Sequence, residues 1–387
     1  MSLLSPRRHD PQALPAELLT HSAFRQAWQG VEPDRVWDAH VHLIGLGDTD
    51  SGVWVNPRMR APWNLMRFLA MRAYLKASGI GSGDVVDRQF VRHLLAQLAH
   101  FPPGCKALLL AFDWFHDDSG TPRPELSGFH VPNHYAASVA RAHGERLVWA
   151  ASIHPYRPDA CEALEQAVRD GARAVKWLPQ AMGIDPASSR CDAFYEAMKH
   201  HRLPLLCHAG EEQATPSGAD QSLGNPLRLR RPLAHGVRVI IAHCASLGLS
   251  EDLDRPEKGR KRLPSFQLFA RLMDEAAWQD GLMGDLSATV LLNRSPQVLE
   301  WLLDREAWHS RLLQGSDYPL PGITPIIWTG RLVRRGLLDA EQASWLNAIR
   351  RHNPLLFDWL LKRSLRKEGR GFPAAVFETA RHFAGGA

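Results

Sequence analysis

The chain has few cysteines, and none of them stands in a metal-binding or paired arrangement. The five in its 387 residues are widely spaced and odd in number, at Cys105, Cys161, Cys191, Cys207 and Cys244. This pattern argues against a disulfide framework and against a thiolate zinc site. Long apolar runs are missing too, and "MSLLSPRRHDPQALPAELL" at the N-terminus has no continuous apolar core. We therefore expect no membrane span, no secretory signal and a cytoplasmic location.

Nucleotide-binding motifs are also missing. No G-x-G-x-x-G follows a predicted strand, and no P-loop motif occurs. The net charge is +5 and the pI about 9.1, but the basic clusters at 228–231, 258–262 and 331–336 lack the interleaved aromatics of single-strand binders. We interpret these clusters as solvated faces and expect no nucleic-acid partner. A non-catalytic basic binding protein is the alternative, and it rests on the pI alone.

Short apolar segments alternate with helix-like segments along the chain. Eight strands are predicted, at 35–42, 106–113, 146–154, 172–179, 203–210, 238–245, 282–288 and 311–319. Several are nearly continuous hydrophobic runs, typical of parallel strands buried on both faces. Helices are predicted between them, for example at 159–171, 191–201 and 265–281. The alternation predicts an α/β fold, a (β/α)8 TIM barrel, with a doubly wound open sheet as the alternative.

The division of the chain follows from where the predicted strands begin. Residues 1–30 are predicted to be an N-terminal extension, and residues 31–387 a single barrel domain. Long connections follow the first, second and fifth predicted strands, at 43–105, 114–145 and 211–237. Barrel enzymes build their active sites at the carboxyl ends of the strands. We therefore predict that 43–105 and 211–237 are long active-site loops.

Two histidines stand two residues apart in "VWDAHVHLIG" at 36–45. Alternate side chains of a strand point to the same face. Strict alternation therefore predicts two sets on opposite faces: Asp38, His40 and His42 on one, and Trp37, Ala39 and Val41 on the other. Neutral imidazole is the commonest protein ligand for zinc and similar ions. A solvated strand end is the alternative, because 19 histidines make a chance pair easy to find.

Further polar residues stand at the ends of four other predicted strands: Lys176, His208, His243 and Asp317. Each has an ordinary explanation on its own, such as a core histidine, a solvent-reaching lysine or a turn aspartate. Together with the histidine pair, they predict a site for one or two divalent metals, most readily Zn²⁺. Such a metal lowers the pKa of its bound water and polarises a substrate oxygen. Asp317 would take the proton of that water and pass it to the leaving group.

The motifs "DAHVH", "AVKWLP", "LLCHAGEE", "VIIAHCAS" and "QGSDYPLP" resemble the metal-binding motifs of the amidohydrolase superfamily. The resemblance covers about residues 35–360. It is closest to the amidohydrolase-related subgroup that includes the aminocarboxymuconate-semialdehyde decarboxylase-like enzymes. It implies that His40, His42 and His208 are metal ligands. It makes Asp317 both a ligand and the general base.

The resemblance leaves two residues with alternative roles. His243 would bind a second metal or contact the substrate and its developing negative charge. Lys176 occupies the position that is carbamylated in phosphotriesterase-like members and bridges two metals there, whereas in mononuclear members it is not a ligand. An ordinary ammonium repels a cation, so Lys176 would ligate only as its carbamate. With all six positions filled, we favour two metals.

Four residues near the strand ends are predicted to contact substrate: His154, Trp177, Gln180 and Glu211. Such a lining would suit a small organic substrate. The predicted function is hydrolysis, in which a metal-bound hydroxide attacks an amide, ester or lactone. The alternative within the superfamily is metal-dependent, non-oxidative decarboxylation. Barrels of this kind are often dimeric or larger, so a homodimer or higher homo-oligomer is compatible with the sequence.

Overall fold

The computed structural model describes residues 10–81, 83–213 and 220–384. Eight parallel strands, here numbered β1 to β8, form its centre. They are Trp37–His42, Lys106–Leu110, Leu147–Ala150, Val175–Trp177, Leu205–His208, Val239–Ala242, Leu282–Asp285 and Leu312–Leu313. Each lies inside one of the eight segments predicted from the sequence. Residues 1–9 of the predicted extension and 214–219 of the predicted 211–237 loop lie outside the described residues.

The strands form a closed barrel. Two parallel sheets make up the barrel. In one, β2 pairs with both β1 and β3, and in the other each strand from β4 to β8 pairs with the next. Single bridges complete the circle: Ala151 pairs with Val175, and Val41 pairs with Tyr318. At the second junction the His42 N–H donates to the Tyr318 carbonyl at 3.0 Å. The (β/α)8 barrel is therefore confirmed, and the open-sheet alternative is wrong.

Helices surround the barrel and fill its long connections. The α-helices among the described residues, numbered α1 to α16, are Ala16–Thr20, Ser22–Trp28, Pro57–Arg60, Leu65–Ala77, Val86–Leu98, Asn133–Ala142, Ala160–Arg169, Pro179–Met182, Asp192–His200, Arg230–Ala234, Ser265–Asp274, Pro296–Asp304, Thr329–Arg334, Ala340–Arg350, Pro354–Ser364 and Ala374–Phe377. The helix predicted at 265–281 ends early, because Glu275 is extended (φ −70°, ψ 119°). Among the described residues, no helix combines the length and apolarity needed to cross a bilayer.

The core has two layers that follow the alternation of the strands. Alternate side chains, such as Leu206 and Ile240, pack inside the barrel, and their neighbours pack against the helices. Strand β1 departs from this rule, since its register on β2 shifts between Asp38 and Val41. Ala39 consequently packs with the interior cluster, whereas Val41 packs with the outer one. The predicted common face for Trp37, Ala39 and Val41 is therefore wrong, because strict alternation takes no account of an irregular register.

One buried carboxylate anchors the first part of the long connection after β1. Asp87, in the first turn of α5, accepts hydrogen bonds from the Leu46 and Gly47 amides at 2.8 and 3.2 Å. Its other oxygen accepts from the hydroxyls of Thr49 and Ser51. Four donors of the loop therefore converge on one carboxylate, since a buried carboxylate requires several donors. Asp87 thereby fixes a segment that reaches the carboxyl end of the barrel.

We expect Asp87→Ala to lower the free energy of unfolding by about 3 kcal/mol, because buried donors lose a charged acceptor. Urea denaturation followed by tryptophan fluorescence measures the change. Asp50→Ala, which removes an exposed carboxylate of the same loop, is the matched control and should leave stability within about 0.5 kcal/mol of wild type. Equal stabilities for the two variants would contradict the anchoring role of Asp87.

Candidate active site

The carboxyl ends of β1 and β8 bring together three predicted ligands. The Nε2 atom of His42 lies 3.0 Å from Asp317 Oδ1, and His40 Nε2 lies 3.6 Å from the same oxygen. One ligand atom from each of the three residues falls within 4.8 Å of the other two. The irregular register of β1 does not separate the two histidines. Two imidazoles and a carboxylate at this spacing are a donor set that suits zinc and similar ions.

Asp317 is held in an uncommon backbone conformation just beyond β8. Its φ is 58°, in the left-handed region that non-glycine residues rarely occupy, and its amide donates to the His40 carbonyl at 2.9 Å. Burial alone would raise the pKa of Asp317. The neighbouring His243 and the hydrogen bond with His42 outweigh burial and hold the pKa well below its ordinary value. The carboxylate is therefore ionised and able to accept a proton or bind a cation.

His40 is oriented by a carboxylate that the sequence analysis missed. Its Nδ1 lies 2.8 Å from Asp285 Oδ2, and both side chains are fully buried. Burial would raise the pKa of Asp285, but the adjoining His40 holds it below the ordinary value. Since an ionised carboxylate only accepts, His40 donates from Nδ1 and keeps the lone pair of Nε2 for the cavity side. That lone pair faces Asp317 and, at 3.3 Å, Lys176 Nζ.

Asp285 lies in β7, within the predicted segment "LMGDLSA" at 282–288. Its Oδ1 accepts from the amides of His243 and Ser287 at 3.0 and 2.8 Å, and from the Ser287 hydroxyl. Together with the His40 contact, these bonds engage both of its oxygens. The sequence does carry a signal for Asp285, because it is a polar residue at the carboxyl end of a predicted strand, like the other candidate ligands.

His243 follows β6 with a positive φ of 57°. Its Nδ1 lies 3.1 Å from the Ser287 carbonyl, which can only accept, so Nδ1 carries the hydrogen. Nε2 then bears the lone pair, 3.9 Å from Asp317 Oδ2. Burial lowers the pKa of His243 to about 3, and the ring is therefore neutral at pH 7. A neutral ring with a free Nε2 lone pair is suited to binding a metal or accepting a proton.

His208 at the end of β5 has a polar atom with no hydrogen-bond partner. Its buried Nε2 makes no hydrogen bond with the described residues. It lies 3.5 Å from Glu212 Oε2, and its ring meets that of His243 edge to face at 5.3 Å between centroids. Burial lowers the pKa of His208 well below its ordinary value. A buried imidazole nitrogen that no protein group engages, beside this cluster, fits the role of a metal ligand.

Lys176 points from β4 into the same cluster. The side chain is buried, and burial lowers its pKa. Its one hydrogen-bond contact among the described residues is the 3.3 Å approach of Nζ to His40 Nε2. The structure thus brings together all six residues predicted as ligands. Two smaller groups have ligand atoms within 4.8 Å of one another: His40, His42 and Asp317, and His40, His243 and Asp285.

An apolar cavity of about 510 Å³ opens above the cluster. The loop after β1 supplies one wall, with Leu43, Ile44 and Val53, and the segments after β7 and β8 supply another. The tips of His42, His208, His243 and Asp317 form part of the lining. Long βα loops therefore build a largely apolar chamber over a polar floor.

The four predicted substrate contacts have different places in the structure. Glu211 lines the cavity, and its Oε1 accepts from Gln213 at 2.9 Å. His154 does not line it, and its Nε2 lies 2.9 Å from the Met182 carbonyl. Trp177 and Gln180 do not line the cavity either. The Trp177 indole N–H donates to the Ile153 carbonyl at 2.8 Å, and the Gln180 amide donates to the Gly210 carbonyl at 2.6 Å.

Comparisons with known proteins agree with this arrangement. The family profile described as amidohydrolase matches residues 37–355, which include every residue of the cluster. No curated protein sequence matches the chain.

Similar solved structures share little sequence with the chain. An uncharacterised TIM-barrel protein from Bordetella bronchiseptica is 15% identical, with 80% of this chain and 99% of that one covered and a TM-score of 0.48. A putative 2-pyrone-4,6-dicarboxylic acid hydrolase from Pseudomonas putida is 16% identical (91% and 97% covered, TM-score 0.46). A 5-carboxyvanillate decarboxylase from Sphingomonas paucimobilis is 10% identical (90% and 98%, TM-score 0.47). On the strength of the family match, the chain belongs to the amidohydrolase family and is an enzyme.

Proposed function

We propose that this enzyme is a metal-dependent hydrolase that cleaves an amide, ester or lactone bond of a small organic substrate. The observation that carries the proposal is the approach of His40, His42 and Asp317 within 4.8 Å of one another on the floor of an apolar cavity. His208 and His243 add two neutral imidazoles, and the Nε2 atom of His208 has no hydrogen-bond partner among the described residues. A bound divalent ion, for which we favour zinc, supplies Lewis-acid polarisation of the scissile carbonyl and makes water more acidic.

The residues of the chain divide the remaining work. Asp317, ionised and buried, accepts a proton from the attacking water as the new carbon–oxygen bond forms. It then returns that proton to the leaving nitrogen or oxygen as the scissile bond breaks. Asp285 keeps His40 in the tautomer whose Nε2 faces the site. The apolar walls exclude bulk water, which strengthens each charge interaction on the floor.

A substrate panel tests the reaction. Aryl esters, lactones and N-acyl amines are assayed for hydrolysis, and hydroxylated aromatic acids for release of carbon dioxide, before and after treatment with a chelator. We expect hydrolysis that is lost on chelation and restored by Zn²⁺ or Mn²⁺. Release of carbon dioxide without hydrolysis would overturn the proposal in favour of decarboxylation, the alternative reaction at the same site.

The number of metal ions depends on Lys176. Its buried Nζ lies close to a ligand nitrogen, where an ammonium would repel a cation and a carbamate would bind one. We expect about two ions per wild-type chain and one or fewer in Lys176→Ala, measured by elemental analysis of protein purified without chelator in bicarbonate-containing buffer. Lys258→Ala, at an exposed lysine, is the control. A single ion in both wild type and Lys176→Ala would make Lys176 a bystander and favour decarboxylation.

The other proposals rest on the sequence. We propose a cytoplasmic location, no nucleic-acid partner and assembly into a homodimer or higher homo-oligomer. Glu211 is proposed to contact substrate from the rim of the cavity. The division into an extension at 1–30 and a barrel domain at 31–387 is likewise a proposal.

A further inference from the structure

A buried cation in the cavity wall has no role in the chemistry described above. Arg294, in the segment that follows β7, is only 7% exposed. Its Nε and Nη1 atoms are both buried and make no hydrogen bond with the described residues. Burying charged N–H groups without acceptors is costly, and guanidinium groups in protein interiors normally find partners. Arg294 therefore has an unmet need for an acceptor.

The guanidinium belongs to the cavity. Arg294 lines it on the side formed by the segment after β7, together with Leu291 and Leu292. Burial lowers its pKa, and the negative charges of Asp317 and Glu212 act in the opposite direction. No carboxylate oxygen of the described residues is a hydrogen-bond partner of Arg294 Nε or Nη1. The nearby acids thus favour the charged form of Arg294.

Hydrogen bonds from Arg331 hold the backbone of the segment that carries Arg294. Arg331, in α13, donates to the carbonyls of Leu291, Leu292 and Arg294 at 2.8, 3.0 and 3.2 Å. The Arg294 amide also donates to the Leu291 carbonyl at 3.1 Å. One arginine therefore holds the turn in shape while the other extends into the cavity. A side chain on a fixed turn loses little freedom when it binds a ligand.

The rest of the cavity lining is largely apolar and would contact the uncharged part of a ligand. Aliphatic and aromatic side chains such as Val55, Met59, Met71 and Phe129 also line the cavity. These side chains offer no hydrogen bonds and favour apolar contact. A planar guanidinium matches a carboxylate in a bidentate fashion along an edge that pairs Nη2 with Nε or with Nη1.

We infer that Arg294 is a specificity-determining residue that binds the carboxylate of an otherwise apolar substrate, while the scissile group lies on the polar floor. This deepens the proposed function and rests on it only for the reaction at the floor. The substrate class is a monoanion with a bulky hydrocarbon body. A neutral isostere would leave Arg294 unpartnered and would bind more weakly.

A binding experiment tests the inference without requiring turnover. Affinities of 4-phenylbutyrate and the neutral 4-phenylbutanamide are measured by calorimetry on the protein as purified, for wild type, Arg294→Gln and Arg294→Lys. Wild type is expected to prefer the acid. Arg294→Gln should weaken the acid about 10- to 100-fold and leave the amide unchanged, with partial recovery in Arg294→Lys. Arg60→Gln, at an exposed arginine one residue from Met59, controls for general charge.

Several results would overturn the inference. Equal affinity of wild type for acid and amide would show that the cavity does not select an anion. Unchanged acid binding in Arg294→Gln would place the anion elsewhere, for example on the metal. An equal loss for both compounds in Arg294→Gln and Arg294→Lys would assign Arg294 a structural role. Because the readout is binding, failure of the hydrolysis panel would refute the proposed reaction and leave this result standing.

Discussion

Asp317→Asn is expected to lower the rate of hydrolysis by at least about a thousandfold, because it removes both the proposed proton acceptor and a proposed anionic ligand. An amide cannot take a proton from water at neutral pH. In wild type, His42 Nε2 lies 3.0 Å from a carboxylate oxygen of Asp317. The substitution replaces that charged neighbour with a neutral amide. The measurements are kcat and KM on the best substrate from the panel, together with metal content. We expect kcat to fall much more than KM rises.

The matched control is Asp118→Asn, which makes the same change at a fully exposed carboxylate. It should leave kcat and metal content as in wild type. A metal-loaded Asp317→Asn enzyme that keeps more than about a tenth of the wild-type kcat would remove Asp317 from the role of general base. Loss of metal together with activity would show that its main contribution is ligation.

The barrel and the convergence of the six candidate ligand residues could be predicted because their signals are local. A buried parallel strand is a short apolar run, and a polar residue at its carboxyl end breaks that run visibly. Closure of a barrel then gathers the strand ends, so residues as far apart as His42 and Asp317 become neighbours. Knowing the order of strands was sufficient, without any knowledge of loop structure.

The predicted lining was less accurate, since it followed distance along the chain and neglected the alternation of strands. Trp177 adjoins Lys176, but in β4 adjacent side chains point to opposite faces. The indole accordingly packs against Phe194 and Tyr195 of α9. Period-2 alternation would have placed it there from the sequence.

Contacts between distant loops left no such local signal. Arg294 becomes conspicuous only when the burial of its nitrogens and the absence of acceptors among the described residues are known. Its segment is shaped by Arg331, which is 37 residues away in sequence from Arg294. The irregular register of β1 likewise depends on how that strand pairs with β2, which composition alone does not specify.

The second large effect is expected at Asp285. Its oxygens accept from His40 Nδ1, from two amides and from the Ser287 hydroxyl, so every contacting group is a donor. In Asp285→Asn, the NH₂ group must replace one of the two oxygens. In either orientation it faces a group that donates a hydrogen bond in wild type, so that bond is lost. His40 then loses the acceptor that fixes its tautomer. We expect metal affinity to fall about 10- to 100-fold, measured by competition with a chromogenic zinc chelator.

Asp113→Asn separates this effect from simple loss of a buried charge. Asp113 is also buried after a barrel strand and accepts from the His154 amide at 2.9 Å and from Arg157 at 3.2 Å. Both variants should lose stability, by about 3 kcal/mol for Asp285→Asn, because each leaves buried donors poorly paired. Only Asp285→Asn should lose metal affinity. If the two variants bound zinc equally well, the tautomer of His40 would not depend on Asp285, and the site would owe its affinity to the ligands alone.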